Sequence, residues 1–183
     1  VHIYLALQEL LAREVNAVEQ CTLTLGSMIF GDGATNVIPS EGHMYGTMRG
    51  FNGDLTKFMV RRVEEISKGT ARVFGGDAEV KWLFSSPAMY CDPDFTDDVV
   101  RYATDVVGAE RMIPKKARAT GSEDFAYFGQ KVPSQIFWLG GGVDDKSKRI
   151  SNHNPKVLFS EEALPYGAAV YAQCAIEWLK EHK

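Results

Sequence analysis

Histidine is the side chain best suited to proton transfer or metal binding near neutral pH, and this chain of 183 residues has four. His2 and His182 stand close to the chain ends, where little fixes a side chain. His43 begins a predicted strand on its polar face, which favours a solvent-exposed histidine. His153 follows an apolar run and a glycine-rich loop, and ligands of α/β sheets gather beyond the ends of buried strands. His153 is therefore the candidate metal ligand. A structural loop histidine remains the open alternative, because one ligand does not make a metal site.

Three further polar residues could contact a ligand. Asn36 lies in a turn-forming stretch, Arg49 ends a predicted strand, and Glu123 lies in the sequence Gly121-Ser122-Glu123-Asp124-Phe125. An amide and a guanidinium suit a carboxylate or amide group on a substrate, and a carboxylate could orient groups around a cationic centre. Each also has an ordinary interpretation, as a turn asparagine, an exposed strand arginine and an acid in a helix cap.

Several familiar cofactor and nucleophile sites are not supported. The three glycines at 140–142 lack the GxGxxG spacing of a dinucleotide site, and no Gly-x-Ser-x-Gly elbow occurs. Cys21, Cys91 and Cys174 are far apart and form no CxxC pair, so neither a structural zinc finger nor a disulfide framework is expected. Reduced, mostly buried thiols are the better interpretation, and they predict a cytoplasmic protein.

The charge balance and hydropathy limit the partners. Lys and Arg total 20 and Asp and Glu total 24, giving a net charge of −4. A negative chain is a poor candidate for nucleic-acid binding, which depends on basic surfaces. The one basic cluster, Lys115, Lys116 and Arg118, has no interleaved aromatic residues and is interpreted as a solvated loop. No apolar run approaches the ~20 residues that span a bilayer, so no membrane partner is predicted.

The first half of the chain predicts elements in the order α-β-β-α-β. Periodicity and capping signals predict a helix over 2–19, strands over 21–25 and 43–49, a helix capped by Asp54, and a strand over 77–84. This order is that of a ferredoxin-like βαββαβ unit without its first strand. We interpret residues 1–88 as such a domain, incomplete at its N-terminus, and the chain as a fragment of a longer protein.

The second half, residues 89–183, predicts helices with one buried strand. The predicted helix caps are Thr96, Ser122 and Ser160, and the predicted strand is the apolar run over 136–139. The last helix should bury one stripe, which consists of Leu164, Ala168, Tyr171, Ala175 and Leu179. The predicted fold class is therefore α/β (α+β), in two domains.

Five motifs then occur in an order that resembles a known family. They are Gly33-Ala34-Thr35-Asn36-Val37-Ile38-Pro39, Gly46-Thr47-Met48-Arg49, Gly121-Ser122-Glu123-Asp124-Phe125-Ala126-Tyr127-Phe128, Leu139-Gly140 and His153-Asn154-Pro155. Together they resemble the C-terminal half of the dinuclear-metal amidohydrolase/peptidase family. That family includes hippurate hydrolases, N-acyl-amino-acid deacylases and hydrolases of indole-acetyl-amino-acid conjugates.

The resemblance implies a ferredoxin-like lid inserted into a zinc-peptidase-like α/β catalytic domain. Residues 1–88 would be the lid, which pairs with a second subunit to form a homodimer, and residues 89–183 would be the returning part of the catalytic domain. It also implies two divalent metal ions, commonly zinc and sometimes manganese or cobalt, and water attack on the amide bond of an N-acyl amino acid or related small molecule.

Carried over by position, the resemblance makes His153 the last metal ligand. Asn36 and Arg49 match lid positions that face the substrate, and Glu123 lies in a motif with a supporting role near the metals. The family's other ligands and its catalytic glutamate precede the point at which this chain begins. The resemblance therefore implies no catalytic residue here, and two metals that this chain does not retain alone.

Two other classes of function remain open. One is a non-catalytic ferredoxin-like dimerisation module with an appended helical layer, which metal-free material forming a tight dimer would favour. The other is a nucleic-acid-binding sheet, which needs stacking aromatic residues and a basic surface. Tyr45 is the only aromatic residue on the polar face of its predicted strand, so this is the least favoured interpretation.

Overall fold

The computed structural model describes residues 1–113 and 118–183. The chain divides into two compact units: the first contains Val1–Ala88 and Ala119–Asp124, and the second contains Met89–Arg118 and Phe125–Lys183. Lys115 and Lys116 of the predicted basic cluster lie outside the described residues, and Arg118 is exposed. Helices and strands both occur, which confirms the mixed helix-and-strand class.

The first unit contains two helices and one β-hairpin. Its elements are α1 (His2–Glu9), β1 (Cys21–Phe30), β2 (Gly42–Gly50) and α2 (Gly53–Val73). α1 continues as a π-helical segment, Leu10–Glu14, so the prediction of a helix to residue 19 is wrong at its end. Beyond it the side-chain oxygen of Asn16 accepts a hydrogen bond from the N–H of Val18 at 3.2 Å. Such a local bond offers the backbone an alternative to the helix.

The hairpin and the two helices share one hydrophobic core. β1 and β2 pair antiparallel, which confirms both predicted strands, and each strand is longer than its apolar alternation indicated. Leu7, Leu10 and Val63 form the buried cluster, and Leu23 and Leu25 of β1 pack against it. The apolar side of each element thus faces the same centre, as period-2 strands and amphipathic helices require.

α2 begins two residues earlier than a cap at Asp54 predicts. Asn52 is the N-cap, because its side-chain oxygen accepts hydrogen bonds from the N–H groups of Asp54 at 2.9 Å and Leu55 at 3.3 Å. Asp54 lies instead in the first turn, where its negative charge complements the helix dipole. Asn and Asp are equally good caps, so the sequence alone could not choose between them.

The predicted strand over 77–84 is wrong for the described residues. The sheet there has two strands, and this segment has no ladder partner. Val80 packs against the core cluster, whereas Leu83 and Phe84 are 85% and 70% exposed. Apolar alternation identifies a face for burial, but a strand also needs a neighbouring backbone to pair its N–H and C=O groups.

The second unit is built on helices. Its elements are α3 (Pro93–Val107), α4 (Ala126–Gly129) and α5 (Ala163–Glu181), with short 3₁₀ helices at Ala109–Arg111 and Lys146–Lys148.

All three helix caps predicted for this unit are wrong. α3 is capped by Asp92, whose side chain accepts from the N–H of Phe95 at 2.9 Å, and Pro93 follows in the first turn. Thr96 lies within the helix, and neither Ser122 nor Ser160 is the N-cap of α4 or α5.

α3 and α5 are joined by a buried tyrosine and an ion pair. The Tyr102 hydroxyl donates to the Glu181 carboxylate at 2.6 Å, and Tyr102 has no exposed surface. Arg101 donates to both oxygens of Glu181 at 2.8 Å. The Arg101 guanidinium, and after it the Tyr102 hydroxyl, lower the pKa of Glu181 to about 2. Glu181 therefore stays ionised and holds the end of α5 against α3 at neutral pH.

The predicted buried strand over 136–139 is also wrong. The segment has no strand partner among the described residues, and the nearest pairing is an isolated bridge between Gly142 and Phe159. Ile136 is half-buried, whereas Trp138 is 66% exposed. A run of four apolar residues predicts burial, and in the described chain nothing covers this one completely.

α5 buries a different stripe from the predicted one. Gly167 and Val170 are buried, whereas the predicted residues Leu164, Tyr171 and Leu179 are exposed. The helix is apolar on both sides, so its periodicity could not identify which side packs on α3. No helix of the described residues is long and apolar enough to cross a membrane.

Gly46, in one of the five motifs, lies where the paired strand leaves no room for a side chain. A Cβ at Gly46 would overlap the carbonyl oxygen of Thr24 on the paired strand, whereas a Cβ at Gly26 would meet no atom within 4 Å. Gly46→Ala should therefore lower the free energy of unfolding by about 1–3 kcal/mol, the usual cost of overpacking. Urea unfolding would measure it, with Gly26→Ala as the matched control. Equal loss of stability in both variants would contradict this interpretation.

Candidate functional site

His153 lies in a loop of the second unit that is closed at its base. The Gly142–Phe159 bridge and a hydrogen bond from the Ser160 N–H to the Gly141 carbonyl at 2.8 Å join the two ends. Within the loop the Arg149 Nε donates to the Val143 carbonyl at 2.8 Å. These contacts hold the two ends of the loop over residues 143–158 together, and His153 lies within this loop.

His153 has a left-handed backbone. Its φ is +64°, and among the described residues it is the one non-glycine residue with a positive φ. The next residue, Asn154, accepts a hydrogen bond from the Lys156 N–H at 2.9 Å, which turns the chain directly after the histidine. A strained backbone persists only where the surroundings determine it, and such residues cluster at functional sites. The His153 side chain is exposed and therefore accessible to a ligand.

The described residues do not by themselves form a metal site. No group of three or more His, Cys, Asp or Glu side chains in this part of the chain is placed to hold a metal ion. Protein metal centres of this kind normally need three or four protein ligands per ion. Within residues 1–113 and 118–183, His153 can therefore supply one ligand of a larger set.

Arg49 and Glu123 belong to the same unit. Arg49 lies on β2, and its Nη1 donates to the carbonyl oxygen of Thr120 at 2.5 Å. Thr120 and Glu123 both lie in Ala119–Asp124, the segment that belongs to the first unit. The hydroxyl of Ser122 in this segment is 2.7 Å from that of Ser86. Sequence reasoning missed these contacts, because no local pattern signals a bond between residues 71 apart.

Asn36 lies at the other end of the hairpin. It is exposed in the loop between β1 and β2, next to a turn in which the Asp32 side chain accepts from the Ala34 N–H at 3.1 Å. β2 rises about 3.3 Å per residue, so Arg49 is roughly 20 Å along the strand from this loop. The hairpin does not bring Asn36 and Arg49 together. His43 is exposed, as predicted, and lies 3.7 Å from the Glu41 carboxylate.

Comparison with known proteins decides the family. The model of the peptidase family M20/M25/M40 matches residues 6–177. The chain belongs to this family. The resemblance drawn from the five motifs is thereby confirmed. An M20 relative, the IAA-amino acid hydrolase ILR1-like 2 of Arabidopsis thaliana, is 33% identical over 183 residues, which are 98% of this chain and 40% of that protein.

Two further M20 relatives match most of this chain and less than half of their own length. The N-acetyldiaminopimelate deacetylase of Streptococcus suis (strain 05ZYH33) is 34% identical over 163 residues, covering 87% of this chain and 40% of its own length. The fold matches that of the YXEP protein of Bacillus subtilis, a dinuclear metal-binding peptidase of the M20 family, with a TM-score of 0.73 at 23% identity. That match covers 98% of this chain and 45% of the other. The M20 chain thus spans about 40% of the length of the relatives it matches.

Proposed function

We propose that the protein containing this chain hydrolyses the amide bond of N-acyl amino acids or related small conjugates. The observation that carries the proposal is the M20 match over residues 6–177, with relatives named as an IAA-amino acid hydrolase and an N-acetyldiaminopimelate deacetylase. The cofactors would be two divalent ions, zinc or else manganese or cobalt. Bound ions of this kind lower the pKa of a water molecule and polarise the scissile carbonyl.

In this proposal the second unit supplies His153 as one metal ligand. Its exposed side chain on a strained, closed loop supports the assignment. The remaining ligands and the catalytic base would come from the part of the protein that corresponds to the rest of the relatives' length. This division explains why the described residues form no complete metal cluster.

The first unit would act as the lid. Its α1, hairpin and α2 would supply most of a ferredoxin-like unit, and the exposed Leu83 and Phe84 support the addition of a strand. We place that strand between β2 and residues 78–84, which would complete βαββαβ. The outer edge of β1 would then stay free to pair with a second subunit in a homodimer. Arg49 would face the carboxylate of the substrate, and Glu123 would have a supporting role. Asn36, at the other end of the hairpin, would face the substrate in a site to which the second subunit contributes.

The side of α5 that does not pack on α3 exposes apolar residues, which is evidence that further protein covers it. Leu164, Tyr171 and Leu179 are each at least 61% exposed, and Trp138 is 66% exposed. Apolar surface on this scale marks a place where further protein packs. We propose that the rest of the catalytic domain covers it. The cytoplasm is the proposed compartment, since all three cysteines are free thiols.

Metal removal tests the function. The full-length protein should hydrolyse N-acetyl amino acids, and chelation should lower the rate at least about 100-fold, with recovery on adding zinc, manganese or cobalt. Rates and bound metal would be measured on the same material. Hydrolysis that survives complete metal removal would contradict the proposal. An inactive, metal-free protein that forms a tight dimer would instead support the non-catalytic dimerisation module.

A further inference from the structure

The segment Ala119–Asp124 belongs to a different unit from its neighbours in sequence. It is part of the first unit, although Met89–Arg118 before it and Phe125–Lys183 after it belong to the second. Its residues are exposed and form no helix or strand. Side-chain contacts must therefore hold it in the first unit, because regular backbone pairing does not.

Hydrogen bonds at Thr120 and Ser122 connect this segment to the rest of the first unit. The Arg49 Nη1 on β2 donates to the Thr120 carbonyl at 2.5 Å, and the hydroxyls of Ser86 and Ser122 are 2.7 Å apart. The first is a hydrogen bond from a charged donor, which is shorter and stronger than one between neutral groups. The Arg49–Thr120 hydrogen bond is therefore the stronger of the two.

Gly121 lies between Thr120 and Ser122, the two residues that form these hydrogen bonds. A Cβ added to it would meet no atom within 4 Å, and its φ is not positive. Neither space nor backbone conformation requires glycine here, so what glycine contributes is freedom of the backbone. The next residues are anchored in the second unit, where Ala126 is buried and the rings of Phe125 and Phe128 stack at 5.5 Å.

We propose that Ala119–Asp124 is a strap carried by the first unit, and that Arg49 is the positioning residue for its backbone. The strap places Glu123 by contacts with β2 and Ser86. Arg49 uses one of its five N–H donors on Thr120, so the guanidinium can still meet an anionic group. The strap is a feature of the fold and does not depend on whether the protein is a hydrolase.

Limited proteolysis with a Glu-specific protease tests the strap on the full-length protein that contains this chain. Cleavage of a native protein follows the population of locally open states. Arg49→Ala should speed cleavage after Glu123 about fivefold, the range expected for losing one surface hydrogen bond. Cleavage after Glu41, in the loop between β1 and β2, should not change. Arg49→Lys keeps a cationic donor and should restore part of the protection.

Arg61→Ala is the matched control. Arg61 is an arginine of the same unit that pairs with Glu65 at 3.0 Å within α2, so its loss should leave cleavage after Glu123 unchanged. An unchanged rate at Glu123 in Arg49→Ala would overturn the proposal. So would equal acceleration at Glu123 and Glu41, because that would mean a general loosening of the unit. The experiment uses no metal and no substrate, so its outcome is independent of the test of hydrolysis.

Discussion

Replacing His153 by asparagine is expected to lower amide hydrolysis by the full-length protein at least about 100-fold, since losing even an outer partner of a metal ligand costs 10–100-fold. The prediction rests on the proposed role of His153 as a metal ligand. Asparagine adopts the left-handed conformation more readily than most residues, so this variant keeps the backbone at φ +64° and removes the imidazole. Alanine would remove the imidazole and add backbone strain, which would mix two effects.

The measurement is kcat/KM together with the metal bound per subunit, and both should fall in His153→Asn. His182→Ala is the matched control, because that histidine stacks on Trp178 at 4.5 Å near the end of α5. It should keep full activity and full metal content. A His153→Asn protein that retains both would remove His153 from the metal site and leave it as a loop residue.

Replacing Leu10 by alanine is expected to lower the free energy of unfolding by about 2–5 kcal/mol. Leu10 has no exposed surface and belongs to the core cluster with Leu7 and Val63. Truncation would remove most of its buried side chain and leave a cavity among residues from three elements. Urea unfolding followed by far-UV circular dichroism would give the change in stability.

Leu5→Ala is the matched control in α1, which continues directly into the π-helical segment that contains Leu10. Leu5 is 56% exposed, so its loss should change stability by no more than about 1 kcal/mol. If Leu10→Ala unfolds at the same urea concentration as the unaltered chain, the cluster beneath α1 is not the core of the first unit. Alanine has a higher helix propensity than leucine, so propensity predicts no loss of stability in either variant, and a loss confined to Leu10→Ala reports the buried contacts.

The helices and the hairpin could be predicted because their signals are local. Alternating residues predicted β1 and β2, and the predicted caps at Thr96 and Ser160 placed the starts of α3 and α5 within a few residues of the observed ones. The caps were misplaced where several good capping residues stand close together, as Asn52 and Asp54 do. The strands predicted over 77–84 and 136–139 failed for another reason. Sequence shows which face is apolar, but not whether a partner strand is present.

The candidate site could be predicted only as separate residues. The motifs identified His153, Arg49, Asn36 and Glu123 and the family, and the family is confirmed. Their contacts depend on long-range packing that no local pattern contains. Arg49 meets Thr120 across 71 residues. The left-handed backbone of His153 is likewise set by the turn around it, since histidine adopts that conformation only in a minority of cases.

β1 contains a bulge at Gly26. This bulge explains why the alternation of apolar and polar residues in the sequence stops at Leu25. The pairing shifts between Leu25 and Ser27, so Gly26 has no opposite residue. On β2 the side chains of Met48, Gly46 and Met44 share one face, and their partners on β1 are Leu23, Leu25 and Met28. Along this face the residue numbers of β1 therefore change from odd to even at Gly26, and at the hairpin tip Met28 and Phe30 are 37% and 52% exposed. Deleting Gly26 would therefore remove the bulge without changing the pairing on either side of it, so Leu25 would stay opposite Gly46 and Met28 opposite Met44 on the same face of the hairpin.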